Sequence, residues 1–159
     1  MSIEKVRQHL GKYGAADRIT VLEHSSATVA LAAEAIGCEP ARIAKTLSFK
    51  KGTSCILIVC AGDGRIDNKK FKAAFSMKAT MPTPEEAQEM IGHSVGGVCP
   101  FGVNPGVEVY LDESLRRFDY VYPAAGSSNS MIKLTLDELQ KFSEAAGWVD
   151  VCKLPQPEV

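Results

Sequence analysis

The sequence predicts an α/β fold, a single domain in which helices surround a mixed, mostly antiparallel β-sheet. Apolar, strand-like segments come in neighbouring pairs, as at 43–49 and 55–61 on either side of the turn at Lys51 and Gly52. Helical segments with recognisable caps lie between such pairs, without the regular strand–helix–strand alternation of a doubly wound parallel sheet. One sheet packed against several helices is therefore the expected architecture.

Each predicted helix has a sequence signal at its beginning, its end or both. Thr83 and Thr135 begin capping boxes, because a glutamate follows each of them three residues later. Gly37, Gly92 and Gly147 suit the left-handed conformation that ends many helices. The predicted helices run from Ile3 to Gly14, from Thr28 to Ile36, from Asp67 to Phe75, from Pro84 to Ile91 and from Thr135 to Gly147.

The predicted strands are short and lie near one another in the chain. In the segment 107–111, valine and leucine alternate with polar residues, a pattern typical of a strand with one buried face. The other strands are recognised by their β-branched and aromatic content. The six predicted strands are 19–22, 43–49, 55–61, 107–111, 118–122 and 131–134.

Length and charge indicate an ordinary globular protein. The chain has 159 residues, enough for one domain with its own core. We expect this domain at residues 1–150 and a flexible tail at residues 151–159. A net charge of −1 gives no overall basic field of the kind that attracts nucleic acid. A local patch can still bind RNA, and four lysines cluster between residues 69 and 78, although such a cluster is also typical of a solvated helix face.

The cysteines and apolar segments bear on compartment and cofactors. The five cysteines are scattered, and no two have the two-residue gap of a zinc knuckle or a redox pair. We therefore expect a reducing cytoplasm, no metal and no cofactor. The longest apolar run, Cys55 to Ala61, is too short to span a bilayer, and the N-terminus lacks a signal-peptide pattern, so no membrane partner is expected.

Lys45 is the most unusual charge in the sequence, because it lies inside the otherwise apolar strand segment 43–49. Burial disfavours an ammonium, so such a lysine needs a partner or a function. The alternative is that its side chain extends from a strand edge and keeps the charge in water.

Two loops of small residues follow later in the chain. The segment 96–103 contains three glycines and a proline, so its backbone can approach a ligand closely and offer N–H groups to a carbonyl or an oxyanion. It can equally be a tight connection between a helix and a strand. The segment 124–130 has hydroxyls and an amide that can bind a polar ligand or simply complete a turn.

The order of these segments resembles one family. The segments are 28–33, Ala44-Lys-Thr-Leu47, Ile66-Asp-Asn-Lys-Lys70, Gly96-x-x-x-Pro100, Val109-Tyr-Leu-Asp112 and Ala125-Gly126. Together they resemble the YbaK/prolyl-tRNA-synthetase-associated superfamily of aminoacyl-tRNA deacylases over roughly residues 20 to 148. Members include free-standing Cys-tRNA(Pro) and Ala-tRNA(Pro) deacylases and the editing insertion of bacterial prolyl-tRNA synthetase. The resemblance implies a YbaK-like fold.

The resemblance also implies roles for particular residues. Lys45 matches the strand lysine on which deacylation depends, and Asp112 matches a frequent strand-end acid. In some relatives a histidine in the second loop helps to select the substrate, but no histidine follows Gly126 here. The implied substrate-binding residues are Thr28, Gly96, Gly97, Val98, Cys99, Pro100, Phe101, Gly126, Ser127 and Ser128.

The implied function is trans-editing, the hydrolysis of the ester on a mischarged tRNA, most naturally tRNA(Pro) carrying cysteine or alanine. The implied partners are the 3′ end of an aminoacyl-tRNA and prolyl-tRNA synthetase. An aminoacyl ester is already activated, so orientation and stabilisation of the developing oxyanion suffice. No catalytic triad is visible, because His9, His24 and His93 have no recognisable partner in the sequence.

Two other hypotheses remain open at this point. The first is a non-catalytic module of the same fold that binds tRNA or a synthetase. The second is a thiol enzyme in which Cys99, in the glycine-rich loop, attacks the ester. Against the second, the sequence places no basic residue near Cys99 to lower the pKa of its thiol.

Overall fold

The structure, a computed structural model, describes residues 2–23, 28–93 and 98–155. Its helices are α1 Ser2–Gly11, α2 Val29–Ile36, α3 Asn68–Phe75, α4 Pro84–Ile91 and α5 Leu136–Phe142. Its strands are β1 Ile19–Val21, β2 Ile43–Lys51, β3 Ser54–Ala61, β4 Arg65–Ile66, β5 Glu108–Asp112, β6 Tyr120–Pro123, β7 Ser130–Ile132, β8 Leu134–Thr135, β9 Gly147–Val149 and β10 Cys152–Lys153. The predicted α/β fold with helices around a mixed sheet is confirmed.

The helix caps lie where the sequence predicts them. The Thr28 hydroxyl accepts a hydrogen bond of 3.1 Å from the Leu31 N–H at the start of α2. Thr83 and Thr135 each form a complete capping box with the glutamate three residues later. The glycines that follow α2 and α4 have φ angles of 81° and 94°, in the left-handed region that favours glycine.

Two helices end earlier than predicted. α1 ends at Gly11, and the chain continues through a turn to Gly14, where φ is 70°. α5 ends at Phe142 because the chain turns at Glu144, whose φ is 54°. Gly147 therefore begins β9, which the sequence does not predict, instead of ending the helix.

Six strands form a curled mixed sheet in the order β8-β6-β2-β3-β5-β9. β2 and β3 form the predicted antiparallel hairpin, in which Lys45 lies opposite Cys60. β6 runs parallel to β2, and β5 runs parallel to β3. Two further antiparallel pairs, β1 with β7 and β4 with β10, lie at the sides.

The central strand β3 is buried on both faces. Leu57 and Val59 pack into the larger part of the core, together with residues of α1, α4 and α5. Ile56 and Ile58 face the other way and pack against Phe71 of α3. A strand covered on both sides is expected to be continuously apolar, as this one is.

The sheet opens beside β2, and this opening positions the site. β6 pairs with β2 only at Ile43 and Ala44, opposite Tyr122 and Pro123. Proline has no N–H to continue the ladder, and the next residue, Ala124, instead bridges to β7. Within the described residues, the edge of β2 from residue 45 onward therefore has no strand beside it on this side.

The segment after residue 150 is held to the body of the protein at its start. β10 pairs with β4, and the Val151 N–H donates to Asp112 Oδ1 at 2.8 Å. Val151 and Cys152 are buried. The segment predicted as a flexible tail is therefore attached through residue 153, because apolar burial and strand pairing outweigh the entropy of a free chain end. Residues 156–159 lie outside the described part.

No helix in the described ranges is long and apolar enough to cross a membrane.

Candidate functional site

A cavity of about 220 Å³ lies at the opening of the sheet. The start of α2, the open edge of β2, the end of β6 and the turn before β7 surround it. For comparison, an engineered cavity of about 150 Å³ accommodates benzene, so this one has room for a small organic group. Its lining residues are Thr28, Val29, Ala32, Ile43, Ala44, Lys45, Thr46, Val98, Tyr122, Ala124, Ser127, Ser130 and Met131.

Close packing between elements positions one wall of the cavity. Gly62, directly after β3, lies against the start of α2 and the residues before β2. A Cβ at Gly62 would lie 2.8 Å from Val29 Cγ1 and would overlap the Pro40 carbonyl oxygen. Only glycine allows this approach, which places Val29 and Ile43 beside the cavity.

Lys45 is a half-buried cation in the cavity wall. Its Nζ makes no hydrogen bond or ion pair with the residues that the structure describes. Asp63 is within range of its charge, but Arg117 already holds that carboxylate through bonds of 3.0 and 2.6 Å. These bonds to Arg117 are the main cause that lowers the pKa of Asp63, and the Lys45 charge adds to them. The ammonium of Lys45 is thus available to a ligand.

The second loop is held mainly by its own hydrogen bonds. Gly126 has a φ of 102°, in the region that favours glycine. The Ser127 hydroxyl bonds to Asn129 Oδ1 at 2.9 Å and to Ser130 Oγ at 2.6 Å, and Asn129 Nδ2 donates to the Leu22 carbonyl at 2.9 Å. Ser127 lines the cavity, whereas Gly126 and Ser128 do not. Most of the polar groups predicted for ligand binding are therefore engaged in completing the turn.

The first loop contributes to the cavity only in part. Gly96 and Gly97, for which backbone contacts to the ligand are predicted, lie outside the described residues, as does His24. Val98 lines the cavity, whereas Pro100 lines a separate cavity of about 270 Å³ near α1.

Cys99 and Phe101 are fully buried away from the cavity. Contrary to the expectation from sequence, Cys99 has a basic neighbour, since its Sγ lies 3.7 Å from His93 Nε2. That nitrogen also lies 2.7 Å from the Phe101 carbonyl oxygen, to which it donates in the matching tautomer. Burial raises the pKa of the Cys99 thiol to about 12 and lowers the pKa of His93. Cys99 is thus a neutral thiol in the core, unsuited to nucleophilic attack.

Asp112 lies at the end of β5 and is 1% exposed. Its two carboxylate oxygens accept hydrogen bonds of 2.8 Å from the Ser114 and Val151 N–H groups. It is not part of the cavity wall. Its visible role is to join the end of β5 to the segment that leads into β10.

Sequence reasoning missed the apolar walls of the cavity. Ala32, Ile43, Tyr122 and Met131 come from four separate elements, and their sequence patterns resemble those of ordinary core residues. Thr46 also lines the cavity, and its hydroxyl is buried without a hydrogen-bond partner among the described residues. The described part of the chain contains no cluster of histidine, cysteine, aspartate and glutamate placed to hold a metal ion.

The arrangement combines one available cation, an open strand edge with backbone polar groups, and apolar walls. It suits a small, mostly apolar group joined to a phosphate, a hydroxyl or a centre on which negative charge develops.

Comparison with known proteins gives a consistent result. The model of the aminoacyl-tRNA editing domain family matches residues 23–142. An uncharacterized protein of Bacillus subtilis, YwhH, is 53% identical over 96% of this chain and 98% of its own length. The proline–tRNA ligase of Thermotoga maritima is 31% identical over 56% of this chain and 15% of its own length. A solved structure described as a proposed trans-editing enzyme for prolyl-tRNA synthetase has 30% identity and a TM-score of 0.86, covering 96% of this chain and 97% of its own.

Proposed function

This chain belongs to the aminoacyl-tRNA editing domain family, and from that premise we propose that it is a trans-editing deacylase that hydrolyses the ester of a mischarged tRNA. The observation that carries the proposal is Lys45, a half-buried ammonium without a described protein partner in the wall of the cavity. The ammonium binds a phosphate or hydroxyl of the terminal adenosine, or stabilises negative charge in the transition state. Backbone N–H groups of the first loop orient the ester and a water molecule.

The proposed substrate is tRNA(Pro) carrying a small neutral amino acid such as cysteine or alanine. The prolyl-tRNA synthetase relatives and the structural neighbour described for the same synthetase support this choice of tRNA. The apolar side chains of Ala32, Ile43 and Met131 support a small, uncharged aminoacyl group. A pocket of this kind separates amino acids that differ by one methylene group by only about 1–3 kcal/mol, so activity on several small amino acids is expected.

The test is deacylation of tRNA(Pro) charged with alanine, cysteine or serine, by the wild type and by Lys45→Ala. We expect Lys45→Ala to lower kcat/KM by about 100- to 1000-fold, as loss of one preorganised charge-stabilising group does elsewhere. Lys51→Ala is the matched control, because Lys51 is exposed at the far end of the same strand and pairs only with Glu108, at 3.4 Å, among the described residues. Equal rates for the wild type and Lys45→Ala would remove the role proposed for Lys45. Tight binding of tRNA without turnover of any charged form would favour the non-catalytic module.

A further inference from the structure

A pair of tyrosines continues from the cavity along β6. Tyr120 and Tyr122 are both half-buried and point to the same face, since they are two residues apart in a strand, whereas Val121 between them is fully buried. Their ring centroids are 5.8 Å apart and the rings are nearly perpendicular. Tyr122 lines the cavity and lies beside Ile43 in the parallel pairing. The two rings therefore form a path from the cavity rim outward.

Two cations lie over the outer ring. Arg42 Cζ is 4.4 Å from the Tyr120 ring centroid, and Lys133 Nζ is 4.1 Å from it. Arg42 is also held by Asp119 at 3.0 Å and by the Tyr120 carbonyl at 3.2 Å. Lys133 has no carboxylate partner among the described residues. The Tyr120 ring is thus fixed in place, with one guanidinium and one unneutralised ammonium beside it.

The chemistry of this surface matches single-stranded nucleic acid. The Tyr120 ring supports the guanidinium plane of Arg42, on which a base can stack, and the ammonium of Lys133 beside it gives a phosphate a nearby charge. Asp119 neutralises Arg42, so Lys133 supplies the net charge and stacking supplies most of the binding. A path that is only two rings long fits a few unpaired nucleotides rather than a duplex.

We propose that Tyr120 and Tyr122, with Arg42 and Lys133, bind the unpaired 3′-terminal nucleotides of an RNA and direct its last nucleotide to the cavity. This proposal rests on the proposed function for the identity of the RNA, a tRNA with an aminoacyl group at its 3′ end. The surface itself is defined by the ring and cation contacts, independently of any hydrolysis.

The test measures binding of a fluorescein-labelled single-stranded RNA that ends in CCA, by fluorescence anisotropy, without any ester. Tyr120→Leu is expected to weaken binding by about 5- to 100-fold, because the ring that supports the Arg42 guanidinium as a stacking surface is lost. Tyr120→Phe keeps the ring and is expected to bind as the wild type does. Tyr110→Leu is the matched control, because Tyr110 is a half-buried tyrosine that packs against Phe75 and lies on β5, three strands away from β6 in the sheet. Thermal unfolding of each variant verifies that it is folded.

The salt dependence tests the assignment of Lys133. The logarithm of the association constant falls as the logarithm of the salt concentration rises. In Lys133→Gln this fall is expected to be less steep by about 0.7, the value for one phosphate of a single strand. The proposal would be overturned if the wild type does not bind the RNA, or if Tyr120→Leu binds it as tightly as the wild type does. Either result would count against it even if the protein deacylates tRNA. Conversely, ring-dependent RNA binding without hydrolysis of any mischarged tRNA would uphold the proposal and reject the deacylase function.

Discussion

Lys45 differs from Lys50, a second lysine of the same strand, in how its charge is satisfied. Lys50, five residues further along, pairs with Glu86 at 2.7 Å and so satisfies its charge within the protein. Lys45 makes no such pair with the described residues, although it is half-buried. The sequence predicts that an ammonium in an apolar strand needs compensation. Only the structure distinguishes the lysine that has a carboxylate from the lysine that is left for a ligand.

His93 provides a prediction at the same scale. Its side chain is fully buried, Nδ1 has no hydrogen-bond partner among the described residues, and burial holds its pKa below the ordinary value of 6.5. The unfolded chain therefore binds this proton more readily than the folded protein does. The stability contributed by neutral His93 is complete above pH 6.5 and is lost as the pH falls below it. We expect the free energy of unfolding in urea to decrease between pH 7.5 and pH 5.5.

Two measurements assign this loss to His93. An NMR titration should show that the His93 ring remains neutral at pH 6.5, where an exposed imidazole is half protonated. In His93→Gln, which keeps an N–H donor for the Phe101 carbonyl, the decrease in stability between pH 7.5 and pH 5.5 should be smaller. A ring that titrates at or above pH 6.5 would contradict the prediction.

At the scale of elements, α5 shows how far local signals extend. The capping box at Thr135 and Glu138 correctly predicts where the helix begins. Arg18 adds a bidentate contact that lowers the pKa of Glu138 to about 2. The sequence places the end of α5 too far along the chain, at Gly147, a residue that belongs to β9 in the structure. Gly147 carries the sequence signal of a helix end, and the pairing of β9 with β5 is a long-range contact that no local pattern shows.

Thr135→Ala tests the value of this cap. The substitution removes the hydroxyl that accepts the Glu138 N–H at 3.2 Å and is expected to lower the free energy of unfolding by about 1 kcal/mol. Urea denaturation monitored by circular dichroism measures the change. Thr53→Ala is the control, because Thr53 is exposed in the turn between β2 and β3 and caps no helix. Equal effects of the two substitutions would show that the capping box does not stabilise α5.

At the scale of the whole molecule, the packing at Gly62 joins the sheet to the cavity wall. In Gly62→Ala the new methyl group would meet the Pro40 and Ile43 carbonyl oxygens and the Val29 side chain. Backbone oxygens do not move easily, so we expect a loss of about 1–3 kcal/mol of stability. Provided that Gly62→Ala folds, we also expect it to deacylate tRNA more slowly, because the residues displaced by the new methyl group include Val29 and Ile43, which line the cavity.

Gly11→Ala is the matched control for Gly62→Ala. A Cβ at Gly11 has no neighbour within 4 Å, and Gly11 lies at the end of α1. The substitution is expected to leave stability unchanged or slightly increased, because alanine favours helix more than glycine does. Urea denaturation of both variants is the measurement. A folded Gly62→Ala protein with wild-type stability and activity would contradict the role assigned to this contact.

The sequence alone determined the helix caps, the β2–β3 hairpin, the unusual position of Lys45 and the resemblance to editing proteins, because all of these depend on residues close together in the chain or on their order along it. Only the tertiary structure decided what surrounds Lys45. β6 leaves β2 at Pro123, and the resulting gap brings Tyr122 and Met131 to a lysine that lies 77 and 86 positions earlier in the chain. A strand residue that lines a cavity has the same local pattern as one that fills a core. The difference arises from which strand lies beside it, and contacts over such separations leave no periodic signal in a single sequence.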